Sequence, residues 1–297
     1  MKRIPYALVD VFAPAPGAGN RVAVVLDARG MSPEEMQAVA QSLGAAEAAF
    51  LLERTGAALS VRFFAPGGVD RFAERGAGAE GPATARTRWA PEGTTRLYLH
   101  TPTEVLPVEL VLEAGEPRKA WVRGPAPRFR DLPPYRALRE VLEALGSDER
   151  YLHRGLPYGV AFTGLWSLFV PLIAPGVVDA LEPEMERLKA LCFRLDVATV
   201  HAYAPMGPRS FYARDFAPLL GIPEDPVTGS ANAALGALLA RAGVVPRREG
   251  KVLLTVYQGH HLGNPGVVEV QVEYSPTGEP YSVQIGGEAV IVQTGEV

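Results

Sequence analysis

The chain has 297 residues, 47% hydrophobic and 21% charged, with a formal net charge of -4. That is room for two ordinary domains, and a balance that fits neither a disordered chain nor a nucleic-acid binder with a basic face. One cysteine, Cys192, excludes an internal disulfide and a cysteine metal cluster. Strands are expected at 6–12 and 21–26, separated by a Pro/Gly loop at 13–20. Ser32-Pro33-Glu34-Glu35 joins an N-cap, a first-turn proline and a capping-box glutamate. Met36, Val39, Ala40 and Leu43 follow at helical spacing, and the helix should stop at Gly44. Glu47 falls in the short connection to a strand at 49–52, with further strands at 59–64, 95–100, 104–112 and 119–122.

A first lobe, 1–124, should end there, completed by the last strand at about 284–297, and 125–283 form the second lobe. Proline-rich 125–135 reads as a linker and 135–145 as a helix before Gly146. Strands are expected at 159–173, 198–203 and 211–215, helices at 183–194 and 230–242, and short strands throughout 252–292. The uncharged run 155–178 is long enough to span a membrane, but Pro157, Gly159, Gly164, Pro171, Pro175 and Gly176 interrupt it. Two buried strands joined by turns are expected instead. Asp10 comes too soon for a secretion signal, so a cytoplasmic protein is expected. Phe64-Ala65-Pro66 and Phe216-Ala217-Pro218 each follow a strand, a weak echo between the halves.

Two carboxylates stand out. Asp225 opens Asp225-Pro226-Val227-Thr228-Gly229-Ser230-Ala231, which runs into the apolar spacing Ala233, Leu235, Leu238 and Leu239. At a helix start the N–H groups of Thr228, Gly229 and Ser230 lack intrahelical acceptors and can receive a carboxylate or phosphate, with Asp225 beside it. The same residues admit a purely structural reading, in which Ser230 caps the helix and Asp225 braces the turn. Glu47 lies among Ala45, Ala46, Ala48, Ala49 and Phe50. Desolvation there would raise its pKa toward what a general acid or base needs, whereas an exposed loop glutamate would do nothing. The five histidines include no pair at metal-ligand spacing on a helix, and Gly76, Gly78 and Gly81 lack the strand–helix context of a dinucleotide loop. No metal and no cofactor are expected.

The blocks Val9-Asp10-Val11-Phe12, Gly19-Asn20-Arg21-Val22, Glu47-Ala48-Ala49-Phe50, Ala213-Arg214-Asp215-Phe216-Ala217-Pro218, Glu224 to Ala231, Gln258-Gly259 and Ile285-Gly286-Gly287-Glu288 occur in that order. In sequence and order they resemble the PhzF-like isomerase family of phenazine biosynthesis. The resemblance implies an α+β, diaminopimelate-epimerase-like fold of two pseudo-symmetric lobes, each a curved, mostly antiparallel sheet around a central helix. It implies a cofactor-free isomerase with its site between the lobes, commonly a homodimer, and in its best-known type acting on trans-2,3-dihydro-3-hydroxyanthranilate. Glu47 matches the family's proton carrier; Asp225, Gly229 and Ser230 match its substrate holders. Asn20, Ala46, Arg75, Thr228 and Gly259 complete the expected substrate-binding set, and the expected partner is a small carboxylated metabolite, with no nucleic acid and no membrane.

A single carboxylate that takes and returns one proton performs a hydrogen shift, whereas inversion by two bases in this fold needs a cysteine in each lobe. Cys192 is alone, within a helix, and is expected to pack in a core. The family's first-lobe histidine has no counterpart: one alignment puts Glu74-Arg75 at its Gly-His pair, another puts Pro82 at the histidine. Val69 stands for a usual glutamate, Ala46 for a serine, Arg21 for a proline and Asn264 for an arginine. Arg75 could pair with a ligand carboxylate, or belong to a solvated charged run with Arg71 and Glu74. The alternative to an isomerase is a catalytically silent small-molecule-binding or regulatory protein on the same scaffold.

Overall fold

The computed structural model describes residues 3–45, 47–64, 83–84, 94–102 and 105–297. The chain divides into two compact units, 1–124 with 285–297, and 125–284. In the first unit, β1 (Pro5–Val11), β2 (Asn20–Val25), β3 (Glu47–Thr55), β4 (Ala58–Phe64), β5 (Arg96–His100), β6 (Val105–Glu113) and β7 (Glu116–Arg123) are neighbours in chain order. Strand β16 (Pro280–Glu296) follows β7 and also pairs with β1, so this sheet closes on itself and leaves few unpaired edge groups.

Helix α1 (Pro33–Leu43) connects β2 and β3. Its capping box is complete: the Ser32 hydroxyl accepts from the Glu35 N–H, and the Glu35 carboxylate accepts from the Ser32 N–H. Gly44 ends it in the left-handed conformation. Met36 and Ala40 of the helix pack with Ala23, Val25, Ala48, Phe50 and Phe64.

The second unit holds β8 (Arg128–Arg130), α2 (Tyr135–Ala144), β9 (Gly159–Phe162), β10 (Trp166–Pro171), α3 (Pro175–Asp179), α4 (Met185–Leu195), β11 (Thr199–Gly207), β12 (Ser210–Ala217), β13 (Ile222–Asp225), α5 (Gly229–Arg241), β14 (Lys251–Gln258) and β15 (Gly266–Tyr274). Its strand order is β8, β9, β10, β11, β12, β14, β15, with β13 paired to β12. The two units share one pairing grammar. Antiparallel, parallel, antiparallel, parallel, antiparallel runs from β1 to β6 in the first and from β9 through β15 in the second.

The central strands of the second unit, β9 to β12, are buried on both faces, since nearly every successive residue in them is buried. Val200, Ala202 and Ala204 of β11, with Tyr212 and Phe216 of β12, join a core with Leu138, Leu142, Leu188 and Cys192 of α2 and α4. His201 and Asp215 point from the opposite face toward the start of α5, whose residues are almost all buried. Small residues let this helix lie close to the sheet: a Cβ on Gly236 would stand 2.5 Å from Val270 Cγ1.

Several expectations change. Glu47 is the first residue of β3, not a connection, because it pairs in parallel register with Val22. The stretch read as a linker contains β8, which pairs with β9. A short helix, α3, occupies part of the uncharged run, and among the described residues no helix is long and apolar enough to cross a membrane. The last strand, expected at about 284–297, is β16, which begins earlier, at Pro280, and runs for 17 residues.

Candidate functional site

In the first unit, Asn20 and Glu47 open β2 and β3, two adjoining parallel strands. Asn20 is buried and Glu47 half-buried, next to the fully buried Ala48, Ala49 and Phe50. Arg21, where a proline is usual, binds the buried Asp10 carboxylate through Nε at 2.7 Å and a terminal nitrogen at 3.0 Å; the same carboxylate accepts from the Gly17 N–H at 2.7 Å. A bidentate pair of this kind fixes the loop that leads into Asn20. Ala46 and Arg75 lie outside the described residues, as do Val69, Arg71, Glu74 and Pro82.

In the second unit the structure brings Asp225, Thr228, Gly229, Ser230 and Gly259 together. The N-cap of α5 is Thr228 and the helix begins at Gly229, so Ser230 is not the cap. Nor does the Thr228 hydroxyl cap the helix: it lies 2.7 Å from Asp225 Oδ2 and 3.2 Å from Asp215 Oδ2. The Thr228 N–H donates instead to Gln258 Oε1, 3.2 Å away. Gln258 ends β14 and is fully buried; its Nε2 donates to the Asp225 carbonyl at 2.9 Å and to Thr228 Oγ1 at 3.1 Å, while Oε1 also accepts from Asn232 Nδ2 at 2.7 Å. Next to it, Gly259 has φ +86°, and a Cβ there would lie 2.2 Å from the Asn264 carbonyl oxygen and 2.7 Å from that of Pro226. Only glycine fits that approach.

Behind Asp225 lies a pair that the sequence reading missed. His201 Nδ1 and Asp215 Oδ1 are 2.9 Å apart, both side chains fully buried, joined because β11 and β12 set the two residues opposite each other. A histidine and an aspartate in largely apolar strands were the available signal, since charge in a buried strand demands a partner.

Burial, reinforced by the negative charge of Asp215, pushes the Asp225 carboxyl up to about 6, against the lowering influence of the Thr228 hydroxyl, the Val227 N–H and His201. The pair with Asp215 alone therefore does not account for the shift; removal from water is the larger cause. Because the native value stands above the unfolded value of about 3.9, the folded state holds this proton more tightly. The resulting stabilisation is complete below about pH 4 and is lost as pH rises through about 6. Asp225→Asn, which cannot ionise, should lack this contribution to the slope. Thermal unfolding from pH 4 to 7 should show wild type losing stability relative to the variant; parallel curves would exclude a raised Asp225.

Cys192 is buried in the core, its thiol pushed up to about 12 by burial and then by Asp215. It is an inert packing residue, as expected. Among the described residues no group of three or more His, Cys, Asp or Glu is arranged to hold a metal.

Residues 9–295 match the sequence model of the family described as phenazine biosynthesis-like protein. The chain belongs to the PhzF family. An uncharacterized isomerase of Deinococcus radiodurans is 44% identical over 98% of this chain and 93% of its own length. The trans-2,3-dihydro-3-hydroxyanthranilate isomerase of Pseudomonas fluorescens is 30% identical over 98% of each. Among solved structures, a phenazine biosynthesis protein of the PhzF family from Bacillus anthracis superposes with a TM-score of 0.87, at 28% identity, covering 100% of this chain and 99% of that one. The PhzF fold is thus the α+β, diaminopimelate-epimerase-like architecture that the sequence resemblance implied.

Proposed function

We propose that this PhzF-family chain is an isomerase that shifts a proton on a small unsaturated amino or hydroxy carboxylic acid. Glu47 takes a proton from carbon, the electron pair moves into the adjacent unsaturation, and Glu47 returns the proton to a different carbon. Atoms and charge balance without a redox partner, so the reaction calls for neither metal nor organic cofactor. Asp225, Thr228, Gly229, Ser230 and Gly259 hold the polar end of the acid, with Asn20 on the side of Glu47. A cytoplasmic homodimer without nucleic-acid or membrane partners completes the reading.

The observation that carries it is the start of α5, where the backbone N–H groups of Gly229 and Ser230, the Thr228 N–H being taken by Gln258, stand beside a carboxyl poised at about 6. The relative named as an isomerase of trans-2,3-dihydro-3-hydroxyanthranilate adds chemical direction. Proton NMR in deuterated water, with that compound and a panel of unsaturated amino acids, tests it. Deuterium should enter at the isomerised carbon of one panel member. Broadened ligand signals without deuterium uptake would replace the isomerase by a binding protein on the same scaffold, the reading to which the absent histidine counterpart points.

A further inference from the structure

The second unit holds more buried proton chemistry than a ligand-holding aspartate needs. Two carboxyls, Asp215 and Asp225, lie opposite each other in the β12–β13 ladder. Between them stands one hydroxyl, Thr228, with a single proton to give and Gln258 Nε2 already donating to its oxygen. If both carboxyls were ionised, that hydroxyl could serve only one, and two like charges would face each other, Asp215 fully buried and Asp225 half-buried. Each carboxyl has one more donor, the Val227 N–H for Asp225 and the His201 ring for Asp215. His201 Nε2 is buried and has no hydrogen-bond partner among the described residues, which places the ring proton on Nδ1, facing Asp215 Oδ1.

We propose that Asp215, held in place by His201, is a positioning element for Asp225, a buried negative charge that acts through the Thr228 hydroxyl to raise the pH at which Asp225 gives up its proton. Below about pH 6 Asp225 then meets its ligand as an acid that carries a proton, and a cationic or proton-accepting group on the ligand draws that proton off. That Asp225 touches the ligand rests on the proposed isomerase reading; the coupling of the two carboxyls does not.

Several elements present groups to Asp225. Asp215 and His201 supply the charge and the ring from β12 and β11, while Gln258 of β14 and Asn232 of α5 are neutral. The Arg214–Glu224 ion pair turns to the other face of the ladder, where Arg214 binds the carbonyls of Val178, Asp179 and Leu181. Cys192, near Asp215, stays a thiol because burial holds its proton.

Two substitutions should move the Asp225 proton in opposite directions. Asp215→Asn removes the repelling charge and should lower the Asp225 midpoint from about 6. Thr228→Val removes a donor to the ionised form and should raise it, and Thr228→Ser should restore the wild-type value. Carbon-13 NMR of protein labelled at aspartate carboxyls, in the absence of substrate, reads the midpoint directly, with Asp225→Asn assigning the signal. Shifts of about one pH unit or more, opposite in sign, are expected. Loosened packing would admit water and lower the midpoint in both variants, so shifts of the same sign, or none in Asp215→Asn, overturn the proposal. Because the measurement needs no turnover, a missing deuterium exchange would sink the isomerase reading and leave this result standing.

Discussion

Glu47→Gln is expected to abolish deuterium incorporation into the substrate, lowering turnover by about 10²- to 10⁴-fold, the range in which positioned acid–base groups act. Glutamine keeps the size and hydrogen-bonding reach of the side chain and cannot carry the proton. The fold should survive the change. Glu47 begins a strand whose next three residues, Ala48, Ala49 and Phe50, are buried, and the backbone ladder from Val22 to Val25 does not depend on its carboxylate. Ligand binding, read as broadening of ligand resonances on titration, should change far less than exchange, because the polar end of the acid is assigned to Asp225 and the start of α5. A Glu47→Gln protein that exchanges deuterium within about threefold of wild type would remove Glu47 as the carrier, since that loss falls well short of a general base's contribution. Loss of both binding and exchange would make Glu47 a binding group and leave the proton carrier unassigned.

Local signals were read well. Ser32 with Glu35, and Gly44 twelve residues after Ser32, mark both ends of α1, because capping is a property of a few adjacent residues. The block from Glu224 to Ala231 was legible as a loop entering a helix, since the apolar spacing starts abruptly after Gly229. What stayed hidden depends on register. That Glu224 and Asp225 form a strand follows from the pairing of Asp225 with Asp215, ten residues earlier, which no local pattern announces. The His201–Asp215 pair likewise exists only because two strands meet in one of several possible alignments. Gly286 and Gly287 sit inside β16, not at a turn. At Gly286 and Gly287 the glycine makes room instead for a neighbouring ring, with a virtual Cβ 2.5 Å from Trp121 or Phe12.

The same alternation suggests how Asp225 is held in place, and it carries the largest stability effect expected here. Successive residues of β13 point to opposite faces, so Asp225 can face Thr228 only while Glu224 faces Arg214. The Arg214 side chain is 3% exposed and that of Glu224 is 9% exposed; the guanidinium binds the carboxylate through Nε at 2.9 Å and a terminal nitrogen at 2.8 Å. Its remaining terminal nitrogen donates to the carbonyls of Val178, Asp179 and Leu181 at the end of α3. Arg214→Ala should cost about 3 to 5 kcal/mol, because it strands a buried carboxylate and three carbonyls at once. Chemical denaturation with urea measures it. Replacing both members, Arg214→Met with Glu224→Leu, should recover part of that loss, since the desolvation of both charges disappears with them. The Asp225 midpoint in the double variant separates two roles for the pair. If it stays near its wild-type value of about 6, apolar packing alone suffices to set the strand. If it falls toward that of an ordinary carboxylate, the ion pair is what keeps β13 in register and Asp225 out of water.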